Sequence, residues 1–365
     1  MEPHKIKILV DAHIFDHSFQ GTATYIHGLY NALVENEQFE ITLCAHDIDH
    51  LKTLFTDSRF KFVSLNSHSP YKRLLFEYPQ IIKDGKFDYA HFQYIVPFFK
   101  GTKFVNTIHD VLFLKYKQYF PWKYRFTKGN LFRLSAKRSD IVLTVSDYSK
   151  NDVAHYFDIK ENRIHVTPNA VSIAPASQVD IKSKYGIRNY ILFVSRFEPR
   201  KNHIGLLKAY LANELYDNGY DLVFIGSKKE KIEWDAFQEL QTLIPDEHRN
   251  NVHFLEKIST EDLNAFYKNA ACFVFPSLAE GFGIPPIEAA VNDCKVLCSD
   301  NTAMQEFDFF KYRFDPNNQS ELDEMLPEIL QDGQYPFEEI KRAIIQKYNW
   351  HSIADHYNQI LIKAL

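Results

Sequence analysis

The chain of 365 residues contains few cysteines and no apolar run as long as a membrane span. A helix that crosses a bilayer needs about 20 consecutive apolar residues, so we expect no transmembrane segment. The four cysteines are Cys44, Cys272, Cys294 and Cys298, and none of them forms a Cys-x-x-Cys pair. We therefore expect buried thiols in a reducing compartment rather than disulfides or zinc ligands.

A strong excess of one charge is also missing, because the formal net charge is only -5. This argues against an overall attraction to nucleic acid or anionic lipid, although it does not address local patches. The first ten residues hold only a short apolar run, which predicts a first strand rather than a signal peptide. We expect a soluble, cytoplasmic protein that meets a membrane only at its inner surface.

The length exceeds what one ordinary hydrophobic core supports, so we expect two domains. Strand-like apolar runs alternate with helical segments in two series, which is typical of α/β folds with doubly wound parallel sheets. The runs of the first series are 6–10, 41–44, 88–92, 104–108, 141–145 and 164–169. Those of the second series are 190–194, 221–226, 252–255, 271–275 and 295–298.

The domain boundaries follow from the interruption between the two series. Residues 171–183 show little periodicity and are predicted to be a linker. We predict Rossmann-like domains at 1–172 and 173–345, facing a cleft at the carboxyl ends of their strands. The segment 346–365 is predicted to form an amphipathic helix that packs back on the first domain.

The most informative segment follows the strand-like run 271–275. It has Glu280 in a loop with two glycines, then Pro285 at the start of a predicted helix and Glu288 about one turn later. A strand end followed by a glycine-bearing loop and a helix N-terminus points backbone N–H groups at an anion. Carboxylates beside such a site accept hydrogen bonds from hydroxyls. Binding groups for a phosphate and for a polyol in one segment together indicate a site for a nucleotide sugar.

Three cations, Arg196, Arg200 and Lys201, follow the run 190–194. Arginine binds phosphate through two parallel N–H groups and lysine binds it as a point charge. Cations placed here stabilise a diphosphate as it leaves with growing negative charge. The alternative is a solvated basic turn, and the nearby loop around Glu280 favours the functional interpretation.

Two further candidates rest on weaker patterns. His109 follows the run 104–108 and can hydrogen-bond a sugar hydroxyl, and its position modestly favours this role over that of a structural loop histidine. Gly21 begins a predicted helix and can bring backbone N–H groups to a phosphate or an acceptor. An ordinary helix cap explains Gly21 as well, since a G-x-G-x-x-G motif is missing.

These motifs together resemble those of the retaining family 4 glycosyltransferases of the GT-B class, and in particular bacterial mannosyltransferases. The residues that carry the resemblance are 107–110, 144–149, 166–169, Arg196 with 199–202, and 280–288. They span nearly the whole chain and follow the order of the family.

The resemblance implies a role for each candidate residue. Arg196 and Lys201 hold the donor diphosphate, Glu280 contacts the transferred sugar, and His109 orients that sugar. The remaining donor-binding residues are Glu288 at the ribose, the backbone of Gly281, Phe282, Gly283 and Ile284, and the backbone of Lys257 and Ile258 at the base. Gly21 lies on the acceptor side. The resemblance also implies transfer with retention, with no cofactor and no metal.

The implied reaction is hexose transfer from a nucleotide-diphosphate sugar to a saccharide or lipid-linked acceptor, in surface polysaccharide or lipopolysaccharide assembly. GDP-mannose is the donor that we favour, on the resemblance alone. The alternatives are another GT-B enzyme, such as a sugar-nucleotide epimerase or a phosphorylase, and a catalytically silent binding subunit. The presence of Arg196, Lys201, Glu280 and Glu288 counts against a silent subunit.

Two other patterns stand outside the resemblance. Asp47 and Asp49 form a D-x-D sequence, which binds a metal diphosphate in other glycosyltransferases, but its context predicts only a solvated loop. The segment 111–139 lacks Asp and Glu and interleaves Lys and Arg with aromatic residues. It fits a peripheral contact with an anionic membrane, or a helix with buried aromatics and a basic solvent face. Nucleic acid is not an expected partner, because no recognised binding module accompanies this segment.

Overall fold

The computed structural model describes residues 5–16, 21–172, 177 and 179–365. Part of the predicted linker, residues 173–176 and 178, lies outside the described residues. Contacts divide the chain into two compact units. Unit 1 comprises Met1–Ala170 and Tyr348–Leu365, and unit 2 comprises Val171–Lys347.

The strands of unit 1 form one parallel sheet. They are β1 (Ile6–Asp11), β2 (Phe39–Ala45), β3 (Lys61–Ser64), β4 (Tyr89–Gln93), β5 (Lys103–Thr107), β6 (Ile141–Thr144) and β7 (Ile164–Val166). Their order is β3-β2-β1-β4-β5-β6-β7, with each neighbouring pair parallel. Ile8, Leu9 and Val10 are fully buried although successive side chains point to opposite faces. The continuous apolar run therefore marks a strand covered on both faces.

Helices cover this sheet. They are α1 (Gly21–Leu33), α2 (Ile48–Leu54), α3 (Pro70–Lys72), which continues through a π-helical turn (Arg73–Glu77) into α4 (Tyr78–Gly85), then α5 (Leu112–Lys115), α6 (Trp122–Arg138) and α7 (Asp147–Phe157). The sequence also predicts a helix from about Thr24 to Glu35, and α1 begins three residues before this range and ends at Leu33.

Unit 2 repeats the same plan. Its strands are β8 (Tyr190–Val194), β9 (Asp221–Ile225), β10 (Val252–Leu255), β11 (Cys272–Phe275), β12 (Val296–Ser299) and β13 (Tyr312–Phe314), and their order is β10-β9-β8-β11-β12-β13. All neighbouring pairs are again parallel. The predicted α/β class with two doubly wound parallel sheets is confirmed.

The helices of unit 2 alternate with its strands. They are α8 (Ile181–Tyr185), α9 (His203–Ala212), α10 (Lys231–Thr242), α11 (Thr260–Asn269), α12 (Ile284–Val291), α13 (Gln319–Gln331) and α14 (Phe337–Lys347). The sequence also predicts a helix from Thr260 to Asn269, which is the range of α11.

The chain ends in α15 (Trp350–Ala364), which returns to unit 1 and packs against α1. The hydroxyls of Tyr30 and Tyr357 lie 3.2 Å apart, and the Tyr89 hydroxyl donates to the Leu361 carbonyl at 2.7 Å. The apolar face predicted for this helix is therefore the face that binds unit 1, because Ile353, Tyr357 and Ile360 are all buried.

Strands β3 and β13 were not predicted from the sequence, and both lie at an edge of their sheet. The ends of β3 are exposed and β13 has only three residues, so neither forms a long apolar run. The predicted burial of the cysteines is confirmed, since all four side chains are buried. Among the described helices, none is both long and apolar enough to cross a bilayer.

Each strand order contains one point at which the chain reverses its direction across the sheet. In unit 1 this point lies between β1 and β4, and in unit 2 it lies between β8 and β11. Open parallel sheets bind ligands outside the carboxyl ends of the strands at such a point. The segments after β1, β4, β8 and β11 are therefore the places to look for function.

Candidate functional site

A buried ion pair joins the two segments that flank the reversal point of unit 2. Lys201 ends a 3-10 turn after β8, and Glu280 lies in the loop after β11. The Lys201 Nζ lies 2.5 Å from Glu280 Oε1, and the side chains are only 12% and 9% exposed. The two residues that the sequence singled out separately, 79 positions apart, thus meet in the structure.

Three further contacts hold the Glu280 carboxylate and its backbone. Arg200 donates to Glu280 Oε2 at 3.1 Å, and the Ser277 hydroxyl donates to Oε1 at 2.7 Å. The backbone N–H of Glu280 donates to the Thr302 hydroxyl at 3.0 Å. Burial opposes ionisation of Glu280, but the charges of Lys201 and Arg200 outweigh it and lower its pKa to about 2. Glu280 is therefore a fixed anion rather than a proton donor.

For Lys201, in contrast to Glu280, the effect of burial on the pKa outweighs the effect of the neighbouring opposite charges. Burial and the neighbouring Arg200 lower the pKa of Lys201, and Glu280 and Glu198 only partly offset them. An additional anion would stabilise the charged ammonium group in this position, because that group is already removed from water. A diphosphate oxygen is an anion of the required kind.

Arg196 belongs to a different part of the same network. Its guanidinium pairs with Glu198 at 2.6 Å and with Glu233 at 3.3 Å, and its side chain is half exposed. Glu198 in turn pairs with Arg200 at 2.8 Å. Through Glu198 and Arg200, Arg196 is thus connected to Glu280.

The loop after β11 ends in a constrained junction with α12. Gly283 has φ +100°, and a Cβ there would approach Met304 and Phe307 within 3.1 and 3.3 Å. Ile284 is the first residue of α12, and the prolines after it carry no N–H group. The backbone donors that remain at this helix end are therefore few. Gly281, two residues before Gly283 in the same loop, is also buried.

Phe282 and Glu288 lie on either side of this junction. Phe282 is 5% exposed and packs edge-on against Phe307 at 5.6 Å between ring centroids, so its side chain is part of the core. Glu288 lies inside α12 and accepts a hydrogen bond from the Tyr267 hydroxyl at 3.1 Å. Burial raises the pKa of Glu288. Glu288 shares no described contact with the pair of Lys201 and Glu280.

Lys257 and Ile258 follow β10, two strands away from the reversal point. Lys257 has φ +54° and an exposed side chain, whereas Ile258 is half-buried. The left-handed backbone turns the chain sharply at the carboxyl end of the sheet. Their backbone therefore lies at the edge that the sequence predicted.

The candidates of unit 1 lie at the carboxyl end of its own sheet. His109 follows β5, is 7% exposed, and has its Nε2 2.8 Å from Gln93 Oε1 at the end of β4. The ring of Tyr25 meets it edge-on at 5.2 Å. Burial lowers the pKa of His109 to about 3, so this imidazole is neutral near pH 7. A neutral ring bonded to Gln93 at one nitrogen offers the other nitrogen to a hydroxyl.

Gly21 is exposed and is the first residue of α1, and the residues just before it, 17–20, lie outside the described part of the chain. Asp47 caps α2 by accepting from the backbone N–H of His50 at 2.9 Å, and Asp49 is exposed beside Lys52. The D-x-D sequence therefore has a structural role at a helix start.

The basic segment 111–139 divides between the two interpretations. Phe113 and Phe132 are buried in the core, and Lys115, Arg133 and Lys137 pair with aspartates of α7 and of the turn after it. The first turns of α6 behave differently: Trp122 is 64% exposed and Phe126 is 68% exposed. The start of α6 therefore presents aromatic rings to the outside.

Several site residues were missed by sequence reasoning. Glu198 stands between cations in the sequence and Gln93 ends a strand, so both carried a usable indication. Thr302 carried none. It adopts φ +54°, which is costly for a β-branched residue and persists only where its surroundings hold it. Its hydroxyl accepts from Glu280 and donates to the Asn301 carbonyl at 2.7 Å.

Two family models match the chain in tandem. The model described as Glycosyltransferase Family 4 matches residues 19–174, and the model described as Glycosyl transferases group 1 matches residues 177–350. Together they cover most of the chain.

Relatives and solved structures agree with these matches. O-antigen chain mannosyltransferase B from Escherichia coli is 28% identical over 281 residues, which cover 73% of this chain and 72% of that protein. O-antigen chain mannosyltransferase RfbU from Salmonella typhimurium is 31% identical over 202 residues, which cover 55% of this chain and 53% of that protein.

The structure of Anabaena HepE in complex with UDP and glucose superimposes with a TM-score of 0.75. The two are 16% identical, and the match covers 98% of this chain and 100% of that one. This likeness concerns the fold. The chain therefore belongs to the family 4 glycosyltransferases and has the GT-B fold of two Rossmann-like parallel sheets.

Proposed function

We propose that this protein transfers a hexose from a nucleotide-diphosphate sugar to a saccharide or lipid-linked acceptor in the assembly of a surface polysaccharide. Mannose from GDP-mannose is the donor that we favour, because the relatives include O-antigen mannosyltransferases. Transfer proceeds with retention at the anomeric carbon and without a metal ion. The bond from the anomeric carbon to the diphosphate oxygen breaks, and its electron pair leaves with the nucleotide. The acceptor oxygen forms the new bond, and its proton passes to the departing phosphate oxygen.

The observation that carries this proposal is the pair of Lys201 and Glu280 at the reversal point of unit 2. Lys201 binds the diphosphate and stabilises its charge as it leaves, with Arg196 as a more exposed second cation. Glu280 keeps Lys201 in place and faces the sugar. Glu288 binds the ribose, the backbone of 281–284 lies along the diphosphate and sugar, and the backbone of Lys257 and Ile258 meets the base.

A thermal-shift panel with GDP-, UDP-, ADP- and dTDP-sugars tests the proposal. A ligand at 100 times its dissociation constant adds about 2.7 kcal/mol to the free energy of unfolding, so the correct donor raises Tm. Lys201→Ala removes a charged contact worth about 1.5–3 kcal/mol, so we expect at least about tenfold weaker donor binding and lost transfer. Lys208→Ala removes an exposed lysine of α9 and is the matched control.

Each outcome separates the alternatives. Unchanged turnover in Lys201→Ala would refute the role of this lysine. An altered nucleotide sugar released without acceptor indicates an epimerase, and a requirement for free phosphate indicates a phosphorylase. Binding without turnover on any acceptor indicates a silent subunit. The NMR coupling at the anomeric position of the product, and turnover in EDTA, test retention and metal independence.

A peripheral membrane contact would bring the enzyme to a lipid-linked acceptor. We assign this contact to the start of α6, where exposed Trp122 and Phe126 lie beside Lys123. Aromatic rings and cations at one helix end suit an anionic lipid surface.

A further inference from the structure

The loop that carries Glu280 is held by the segment that follows β12. This segment, residues 299–303, begins at the last residue of β12, and β12 lies beside β11 in the sheet of unit 2. Three of its side chains hydrogen-bond backbone groups of the loop: Ser299 Oγ with the Ser277 carbonyl at 2.7 Å, Asn301 Nδ2 with the Leu278 carbonyl at 2.9 Å, and Thr302 Oγ1 with the Glu280 N–H at 3.0 Å. These contacts fix the course of the loop backbone.

Thr302 adopts an unfavourable backbone conformation within this segment. Its φ is +54°, in the left-handed region where a β-branched residue is a rare outlier. Such strain persists only where the surroundings maintain it, and it clusters at functional sites. Glycine adopts this region freely, so the turn by itself does not require a side chain. The hydroxyl of Thr302 is therefore the feature that needs an explanation.

The Thr302 hydroxyl lies between two backbone groups. The whole residue is buried, at 2% exposure. The single hydroxyl proton goes to the Asn301 carbonyl at 2.7 Å, so the oxygen meets the Glu280 N–H as an acceptor. A buried backbone N–H needs such a partner, because an unpaired one costs free energy. The contact thus fixes the peptide group at the Glu280 nitrogen.

Glu280 is consequently anchored at both ends. Its carboxylate is held by Lys201, Arg200 and Ser277, whereas its backbone is held by Thr302. Loss of the Thr302 hydroxyl would leave the carboxylate with its basic partners but would release the backbone. The carboxylate would then shift relative to the rest of the loop.

We infer that Thr302 is a positioning residue, whose hydroxyl anchors the Glu280 backbone and thereby holds the carboxylate where it meets the transferred sugar. The inference rests on the proposed function, because the contact between Glu280 and the sugar belongs to that function. Thr302 acts through Glu280 and does not contact the substrate. Its loss should affect the chemical step, which depends on the orientation of the sugar, more than the binding of the diphosphate to Lys201.

Three substitutions separate the hydroxyl from the shape of the side chain. Thr302→Ser keeps the hydroxyl, Thr302→Val keeps the branched shape, and Thr302→Gly keeps neither but suits the left-handed backbone. With GDP-mannose as donor and methyl α-D-mannopyranoside as acceptor, kcat should fall about three- to tenfold in Thr302→Val and Thr302→Gly, the equivalent of one hydrogen bond. Thr302→Ser should retain the wild-type kcat, and the donor KM should stay unchanged in all three variants.

These rates are measured at a temperature at which circular dichroism shows every variant to be folded, so that lost stability does not lower kcat. If Thr302→Val fails to fold, Thr302→Gly decides, because glycine suits this backbone. Lys86→Gly is the matched control: Lys86 is exposed, has φ +50° and lies in unit 1, so its replacement should change neither kcat nor KM. A wild-type kcat in folded Thr302→Gly, or an equal loss in Thr302→Ser, overturns the inference.

Hydrogen–deuterium exchange reports the anchoring of Glu280 without turnover. Mass spectrometry of a peptide that covers 277–282 should show faster amide exchange in Thr302→Val and Thr302→Gly, and the wild-type rate in Thr302→Ser. Equal exchange in wild type and Thr302→Gly overturns the anchoring. If the exchange rates are as expected but wild type transfers no sugar, the proposed function fails while the anchoring of Glu280 stands.

Discussion

At the scale of single residues, the Glu280 carboxylate holds together the polar groups at the reversal point of unit 2. It is buried, yet it stays ionised because Lys201, Arg200 and Ser277 all direct hydrogen-bond donors at it. A buried charge of this kind is stable only while its partners remain in place. The arrangement therefore keeps the basic side chains of Lys201 and Arg200 close together at the position proposed for the diphosphate.

The lowered pKa of Glu280 predicts a specific loss of stability in acid. Its folded-state pKa of about 2 lies below the usual value of 4.5, so its contribution is complete above about pH 5. That contribution declines as the pH falls from 4.5 towards 2. Chemical denaturation at pH 7, 5, 4 and 3 should show a steeper decline in unfolding free energy for wild type than for Glu280→Gln.

The control for this prediction is Glu261→Gln, which changes an exposed glutamate of α11. We expect Glu261→Gln to follow the wild-type pH profile. An identical acid slope in wild type and Glu280→Gln would show that Glu280 does not ionise in the way described.

At the scale of elements, the contact of α1 with α15 closes unit 1. Gly28 of α1 faces the indole of Trp350, and a Cβ at position 28 would overlap that ring. The two helices approach closely because Gly28 has no side chain. The hydroxyls of Tyr30 and Tyr357 extend the same contact farther along both helices.

Gly28→Ala should therefore destabilise unit 1. Alanine favours a helix over glycine by about 1 kcal/mol, but overpacking costs about 1–3 kcal/mol and a direct overlap lies at the upper end. We expect a net loss in the free energy of unfolding by urea denaturation. Adding Trp350→Leu should recover part of that loss.

Gly333→Ala is the matched control, because a Cβ at position 333 has nothing within 4 Å. A Gly28→Ala variant as stable as Gly333→Ala would mean that α15 moves away from α1 at no cost.

At the scale of the whole molecule, the chain uses one strand arrangement twice and places different side chains after the strands of each unit. The segments after β8 and β11 bring Lys201 to Glu280, whereas those after β1 and β5 carry His13 and His109. One architecture thus presents a charged edge in unit 2 and an imidazole-bearing edge in unit 1. The exposed start of α6 adds a third surface, on unit 1.

Trp122→Ser with Phe126→Ser should weaken binding to anionic liposomes in flotation assays. Each basic residue near the lipid contributes about 1 kcal/mol, and the rings add apolar burial at the interface. We expect binding of wild type to depend on anionic lipid and to fall with added salt. Trp234→Ser, which removes an exposed tryptophan of α10 in unit 2, should bind as wild type does. Absence of lipid-dependent binding in wild type would refute the contact.

Much of the fold could be predicted from the local pattern of apolar residues. Each predicted strand-like run overlaps a strand of the structure, because a parallel strand covered on both faces must be apolar along its length. The short edge strands β3 and β13 were not predicted, since an edge strand does not need a continuous apolar run. The candidate residues at the strand ends could be predicted from the same pattern, because the carboxyl ends of parallel strands all lie at one edge of the sheet.

The partners of those candidates could not be obtained in this way. The sequence placed Lys201, Arg196 and Glu280 in one site, but the structure pairs Lys201 with Glu280 and directs Arg196 to Glu198 and Glu233. It likewise brings Tyr78 to Asp11 across 67 positions. Apolar periodicity encodes which face of a strand or helix is buried, so it specifies the sheets. A hydrogen bond depends on the direction of individual side chains after distant segments have packed, and that direction exists only in the folded chain.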